Sequence, residues 1–205
     1  MSKSTWTGAV SSDWADADNW SPAGVPGASS DVTIATGDAV ASASIGKVNS
    51  ITDSSHLSFE SAGTNTVTTS LGNTGHLHVD AKRGEGGTIL NIGATLTNSG
   101  NLVIGNTTLS APDEVAAASL DNTGRIYLIG SSADQALLDV AGSAGFGAAG
   151  VLSGTVRLVR DSAIEFASGE ITSLAKGAHL GLNGPTPSSR TARRRGRTAR
   201  SRGSL

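Results

Sequence analysis

Two histidines and a carboxylate stand on alternate positions of one short segment, His76-Leu77-His78-Val79-Asp80. His-x-His-x-Asp offers three nitrogen and oxygen donors of the kind that zinc or copper accepts. A polar strand face in solvent has the same pattern, and that is the reading adopted, with His76, His78 and Asp80 kept as metal candidates. Asp80, Lys82, Arg83 and Glu85 then form a charged loop. Glycoside hydrolysis needs two carboxylates about 5–10 Å apart across a groove. Asp80 and Glu85 are near one another only in sequence, so the loop reads as an insertion between coils. Asp113-Glu114 and Asp161/Glu165 read as solvated pairs. All three tryptophans, Trp6, Trp14 and Trp20, fall in the first 20 residues. They serve either as a cover for an open core or as a platform on which sugar rings stack. Phosphate-loop, zinc-protease, nucleophile-elbow and calcium-nonapeptide motifs are absent. No catalytic residue, resident metal or cofactor is expected.

What must position these side chains is a repeat. Apolar residues recur with two more at offsets of six and eight: Ile51/Leu57/Phe59, Leu71/Leu77/Val79, Leu96/Leu102/Ile104, Leu120/Ile126/Leu128 and Leu174/Leu180/Leu182. The middle three are close copies, LGNTGHLHV, LTNSGNLVI and LDNTGRIYL, starting at residues 71, 96 and 120. A period of that length means stacked units rather than a globule with one centre. Inside each copy the apolar and polar residues alternate, the two-residue period of a half-buried strand. A second strand follows, at Leu90/Ile92, Val115, Leu138/Val140 and Ile164/Phe166. Gly75, Gly100 and Gly124 recur at one corner, where a positive φ is easiest without a Cβ. Asn73, Asn98 and Asn122 precede them by two positions and are placed to form an amide ladder. The expected fold is all-β, a parallel β-solenoid of about six coils with 24-residue repeats. Sandwiches share the alternation, but Asn-Gly, the strongest short hairpin signal, occurs only at Asn183-Gly184.

Composition agrees. Aromatics are only 3% of the chain, Gly numbers 27 and Cys is absent. Thin layers of small aliphatics suit this mixture, whereas a disulfide framework or thiolate metal site is excluded. The net charge of −2 is divided: all 17 acids precede residue 184 with eight of the 15 bases, and seven arginines follow without an acid. The expected organisation is a Trp-rich cap and first strand over 1–34, repeats over 35–183, and a disordered Arg-rich tail over 184–205.

The W-x-G…W…N-W…G-V-P…D-V-x-I opening, followed by L-x-N-x-G-x-L-x-I repeats, resembles repeat regions of secreted bacterial surface proteins, autotransporter-passenger-like and haemagglutinin-like adhesins. The resemblance covers residues 5 to about 184. It implies an exported solenoid stalk with no catalytic residues to transfer, bound to host or matrix glycans or surface proteins. This sequence lacks a Sec signal and a C-terminal translocator barrel, which leaves the export route open. The tail suggests a nucleic-acid or anionic-surface segment at face value, though without aromatics for base stacking. A one-nucleotide shift of a consistent back-translation turns it into Ala/Ser/Gly-rich text without arginine. The expectation is therefore an N-terminal piece of a longer repeat protein ended by a frameshift, with no specific nucleic acid partner and no membrane insertion. The alternatives are a polysaccharide-acting β-helix enzyme and a non-functional truncated product with an aggregation-prone open edge.

Overall fold

The computed structural model describes residues 1–82, 86–141 and 150–184. The Arg-rich segment from residue 185, Arg83 and Glu85 of the charged loop, and the glycine run 142–147 lie outside the described residues. The fold is a parallel β-solenoid. Seven strands stack in one sheet: Asp38–Ala41, His56–Phe59, His76–Val79, Asn101–Ile104, Arg125–Ile129, Thr155–Val159 and His179–Asn183. Seven turns therefore replace the six expected, because the first coils are shorter than the repeat that dominates the sequence.

A second, eleven-stranded sheet supplies the other walls. Its long strands Thr88–Asn98 and Asp113–Asn122 pair along both halves, with a register shift between Ile92 and Thr95. The first half of Thr88–Asn98 lies on Gly63–Val67 and the second on Leu71–Asn73. One strand thus turns a corner and lines two faces, so each full coil presents three.

The alternation sets the core. Leu57, Leu77, Leu102, Ile126 and Val156 stand in register, one per rung, with Ala39 below and Leu180 above. Phe59, Val79, Ile104, Leu128 and Leu158 form a parallel column. The opposite walls contribute Ile51, Leu71, Leu96 and Leu120, and then Leu90, Val115, Leu138 and Ile164. All of these except Leu180 are buried. Rungs lie about 4.8 Å apart, so aliphatic side chains touch their own kind above and below. Each fully buried one contributes about 1.5–3 kcal/mol.

The corner at Asn73-Thr74-Gly75 and its copies locks successive coils together. The amide of Asn73 donates to Oδ1 of Asn98 at 2.7 Å, and that of Asn98 to Oδ1 of Asn122 at 2.7 Å. The same amides also reach the backbone carbonyls of Asn101 and Arg125 at 3.2 and 3.1 Å. The ladder is buried and satisfied, as polar groups in a core must be. The glycine reason differs from the sequence expectation. Gly75, Gly100 and Gly124 are absent from the positive-φ residues. They are needed because a Cβ on Gly100 would sit 2.2 Å from the Gly75 carbonyl oxygen, and one on Gly124 2.2 Å from that of Gly100.

One rung lower, Asp53 takes the asparagine position. Its Oδ1 accepts from the Ser55 N–H at 3.0 Å, as Oδ1 of Asn73 accepts from Gly75 at 3.1 Å. Its Oδ2 is buried without a hydrogen-bond partner where an asparagine would present its amide. Burial pushes this carboxyl up to about 6, against weaker opposing effects of the Ser55 N–H and His76. The protonated form is favoured in the fold, so its stabilisation is complete below the ordinary pKa near 3.8 and is lost as pH rises through 6.

Two predictions result. Gly100→Ala is expected to destabilise the fold by about 3 kcal/mol or more, because backbone rather than a mobile side chain must move. Gly72→Ala, with nothing within 4 Å of its Cβ, should be neutral or stabilise by about 0.5 kcal/mol; paired thermal melts check both. Asp53→Asn should complete the ladder and raise stability at pH 8 by about 1–3 kcal/mol. Its gain should shrink towards pH 4, and an equal gain at both pH values would contradict the assigned protonation.

Candidate functional site

The outward positions of the seven-stranded sheet form two columns. Asp38, His56, His76, Asn101, Arg125, Thr155 and His179 occupy one, and Val40, Ser58, His78, Val103, Tyr127, Arg157 and Gly181 the other. All four histidines and the only tyrosine of the chain are therefore on this face. Asp38 is the only acid at these positions. The outward positions of the other sheet include Asp31, Glu114, Asp121, Asp139 and Glu165.

His76 and His78 share this face, as expected, with rings 6.3 Å apart. Asp80 does not join them. It takes a left-handed conformation with φ 53°, which breaks the alternation after Val79, and it is buried. Its Oδ2 accepts from the Gly86 N–H at 2.7 Å, and its own carbonyl accepts from the Asn106 amide at 2.7 Å. Among the described residues no group of three His, Asp or Glu is arranged to hold a metal ion.

The partners of His78 come instead from the two rungs below. Nδ1 of His56 donates to Asp38 at 2.8 Å, because a carboxylate can only accept. Nε2 of His56 faces Nδ1 of His78 at 3.1 Å and the Ser58 hydroxyl at 3.3 Å. Burial, then repulsion from His56, Lys82 and His76, pulls the His78 imidazole down to about 4, with Asp38 opposing. His78 is thus neutral at pH 7 and can donate to His56. Asp38, His56 and Ser58 have the connectivity of a hydrolytic triad, but Ser58 is fully buried. An acyl or glycosyl centre cannot reach that hydroxyl without displacing its neighbours. These residues were missed in the sequence, although a signal was present: His56 precedes Leu57 as His76 precedes Leu77.

A shallow polar groove of about 490 Å³ runs beside the first column, across the rungs. Gly75, Gly100 and Gly124 form its floor. Thr74, Ser99 and Thr123 line one side; His76, Asn101, Arg125 and Thr155 line the other. Its chemistry is hydroxyl, amide and guanidinium, suited to hydrogen bonding with a polar chain.

Asp113 departs from its expected solvated state, since it is fully buried with Thr88 and Asp80. Burial pushes its carboxyl up to about 7; hydrogen bonds from the Thr88 and Gly87 N–H groups oppose this, and the adjacent Asp80 carboxyl reinforces it. Oδ1 of Asp113 accepts from the Thr88 N–H at 3.0 Å, which ties this corner to the neighbouring coil. Asp161 is exposed and Glu165 half-buried, in keeping with solvated residues.

The tryptophans are not a sugar platform. Trp6, Trp14 and Trp20 are only 2–3% exposed. Trp6 and Trp14 each pack edge-to-face on Trp20 at 4.9 and 4.7 Å, and Nε1 of Trp20 donates to the Trp14 carbonyl at 2.9 Å. Stacking needs an open ring face, and these rings spend theirs on one another and on the first coil. Ser2–Trp6 itself pairs parallel with Ser30–Ile34 and antiparallel with Trp20–Ser21, adding a terminal layer. Tryptophan emission should therefore be blue-shifted, resist a polar quencher and stay unchanged on adding oligosaccharides. Quenching comparable to free tryptophan would overturn the buried cap.

Comparison with curated proteins and with solved structures finds no match. A family model described as a domain of unknown function, DUF8693, matches residues 5–113. The matched stretch begins at the tryptophan layer and continues through the rung that ends at Ile104, so it takes in the cap, the histidine network and most of the groove. Because the match extends over more than half of its length, this β-solenoid chain belongs to the DUF8693 family.

Proposed function

We propose that this chain is a non-enzymatic structural and adhesive segment of a bacterial surface or secreted repeat protein. The observation that supports it is the division of labour between inward and outward positions. Inward columns of the seven-stranded sheet are apolar on every rung, while the outward positions beside them pass from Asp38 to His56, His76, Asn101, Arg125 and Thr155. Such a rod presents side chains at fixed spacing along its length, and contacts that are weak singly add when one polymer or surface meets several rungs. Host or matrix glycans and surface proteins are the partners proposed.

A reading from another class, a polysaccharide-acting enzyme, draws on the Asp38–His56–Ser58 connectivity. Burial of the Ser58 hydroxyl favours the scaffold instead. Incubation with a panel of neutral and acidic polysaccharides separates the two. No new reducing or unsaturated ends are expected, and sustained release above a heat-denatured control would refute the scaffold reading. Antibody staining of intact source cells tests the location, with surface staining expected before permeabilisation. Staining only afterwards would place the protein inside.

A further inference from the structure

Resting on the scaffold reading, we propose that the glycine-floored groove binds a linear, carboxylate-bearing polysaccharide, with Arg125 as its anion contact. The groove crosses the strands, so a ligand lying in it runs along the solenoid axis and meets one rung after another. Its floor is low because no Cβ fits at Gly75, Gly100 and Gly124. Ser99 and Thr123 are exposed along one wall, and their hydroxyls make no side-chain hydrogen bond among the described residues. Asn101 and Arg125 face them from the other wall on successive rungs.

Charge selects the ligand. Arg125 is exposed and makes no ion pair among the described residues. The only acid at outward positions of this sheet, Asp38, lies four rungs away, about 19 Å at the usual strand spacing, and is already bonded to His56. A guanidinium so placed takes a carboxylate through two parallel N–H bonds. The surrounding hydroxyl and amide groups match a polyhydroxylated chain. Nucleic acid fits less well: duplex phosphates recur at about 3.4 Å per strand and demand dense cation contacts, whereas the rungs recur at about 4.8 Å and carry scattered cations. A pyranose ring linked through opposite sides is about as long as one rung spacing, so successive sugars keep step with successive coils.

The seven arginines after residue 184 would bind any polyanion. The test therefore uses a full-length chain with those arginines replaced by glutamine, titrated with polygalacturonate, dextran or single-stranded polydeoxythymidylate at fixed salt. Polygalacturonate should bind and dextran should not. Arg125→Ala should weaken binding at least fivefold, and Arg125→Lys should retain part of it. Arg157→Ala, on the next rung but outside the groove lining, should stay within twofold. Circular dichroism confirms that each variant keeps its fold. Unchanged affinity in Arg125→Ala, equal binding of dextran, or preferential binding of the oligonucleotide would each overturn the proposal. Failure of all three probes to bind, with no new polymer ends, rejects the groove and leaves the scaffold reading standing. Shortening of polygalacturonate would reject the scaffold reading itself.

Discussion

Adjacent coils approach so closely at one corner that the Gly75 carbonyl oxygen occupies the space of a Cβ on Gly100, and Gly100 stands in the same relation to Gly124. That contact fixes the height of each coil above the last. The Asn73–Asn98–Asn122 ladder then closes at 2.7 Å per step, and the aliphatic columns meet their copies in register. A coil displaced by a bulky corner residue would lose all three together, because they share one backbone.

The same constraint shapes the surface. A corner that cannot hold side chains becomes a trough, and the residues on either side become its walls. With one wall drawn from Thr74, Ser99 and Thr123 and the other from His76, Asn101 and Arg125, a stacking requirement has generated a polar recess. Charge is sorted by sheet: histidines and two arginines project from one, and most strand-borne acids from the other. The body's negative charge therefore does not cover the groove face.

Buried polar groups give the stack its directionality. An asparagine offers a donor upward and an acceptor towards its own turn, so a column of them is self-satisfying. Asp53 lacks the donor unless protonated, and Asp113 beside Asp80 has the same need. Burial raises both carboxyls, so below about pH 6 each holds a proton that a solvent-exposed acid would release.

The period of the repeat, its inward columns and its asparagine ladder were legible in the amino-acid order, because alternation and recurrence are local properties of a chain. Leu77, Leu102 and Ile126 had to stack if the copies were equivalent, and they do. Other features depend on what one coil places against another. The corner glycines were recognised, but their reason, contact with the coil below, is not a property of their own turn. Asp80 continued the alternation on paper, yet a left-handed residue turned it inward. His56 and Asp38 meet His78 only because coils of 18 and 20 residues start at 38, 56 and 76, shorter than the repeat that dominates the sequence. Tryptophans near one another in sequence were ambiguous between a cover and a platform until packing buried their faces. Sequence determined which residues face inward; only tertiary structure decided which rungs become neighbours, because that depends on the length and closure of each coil.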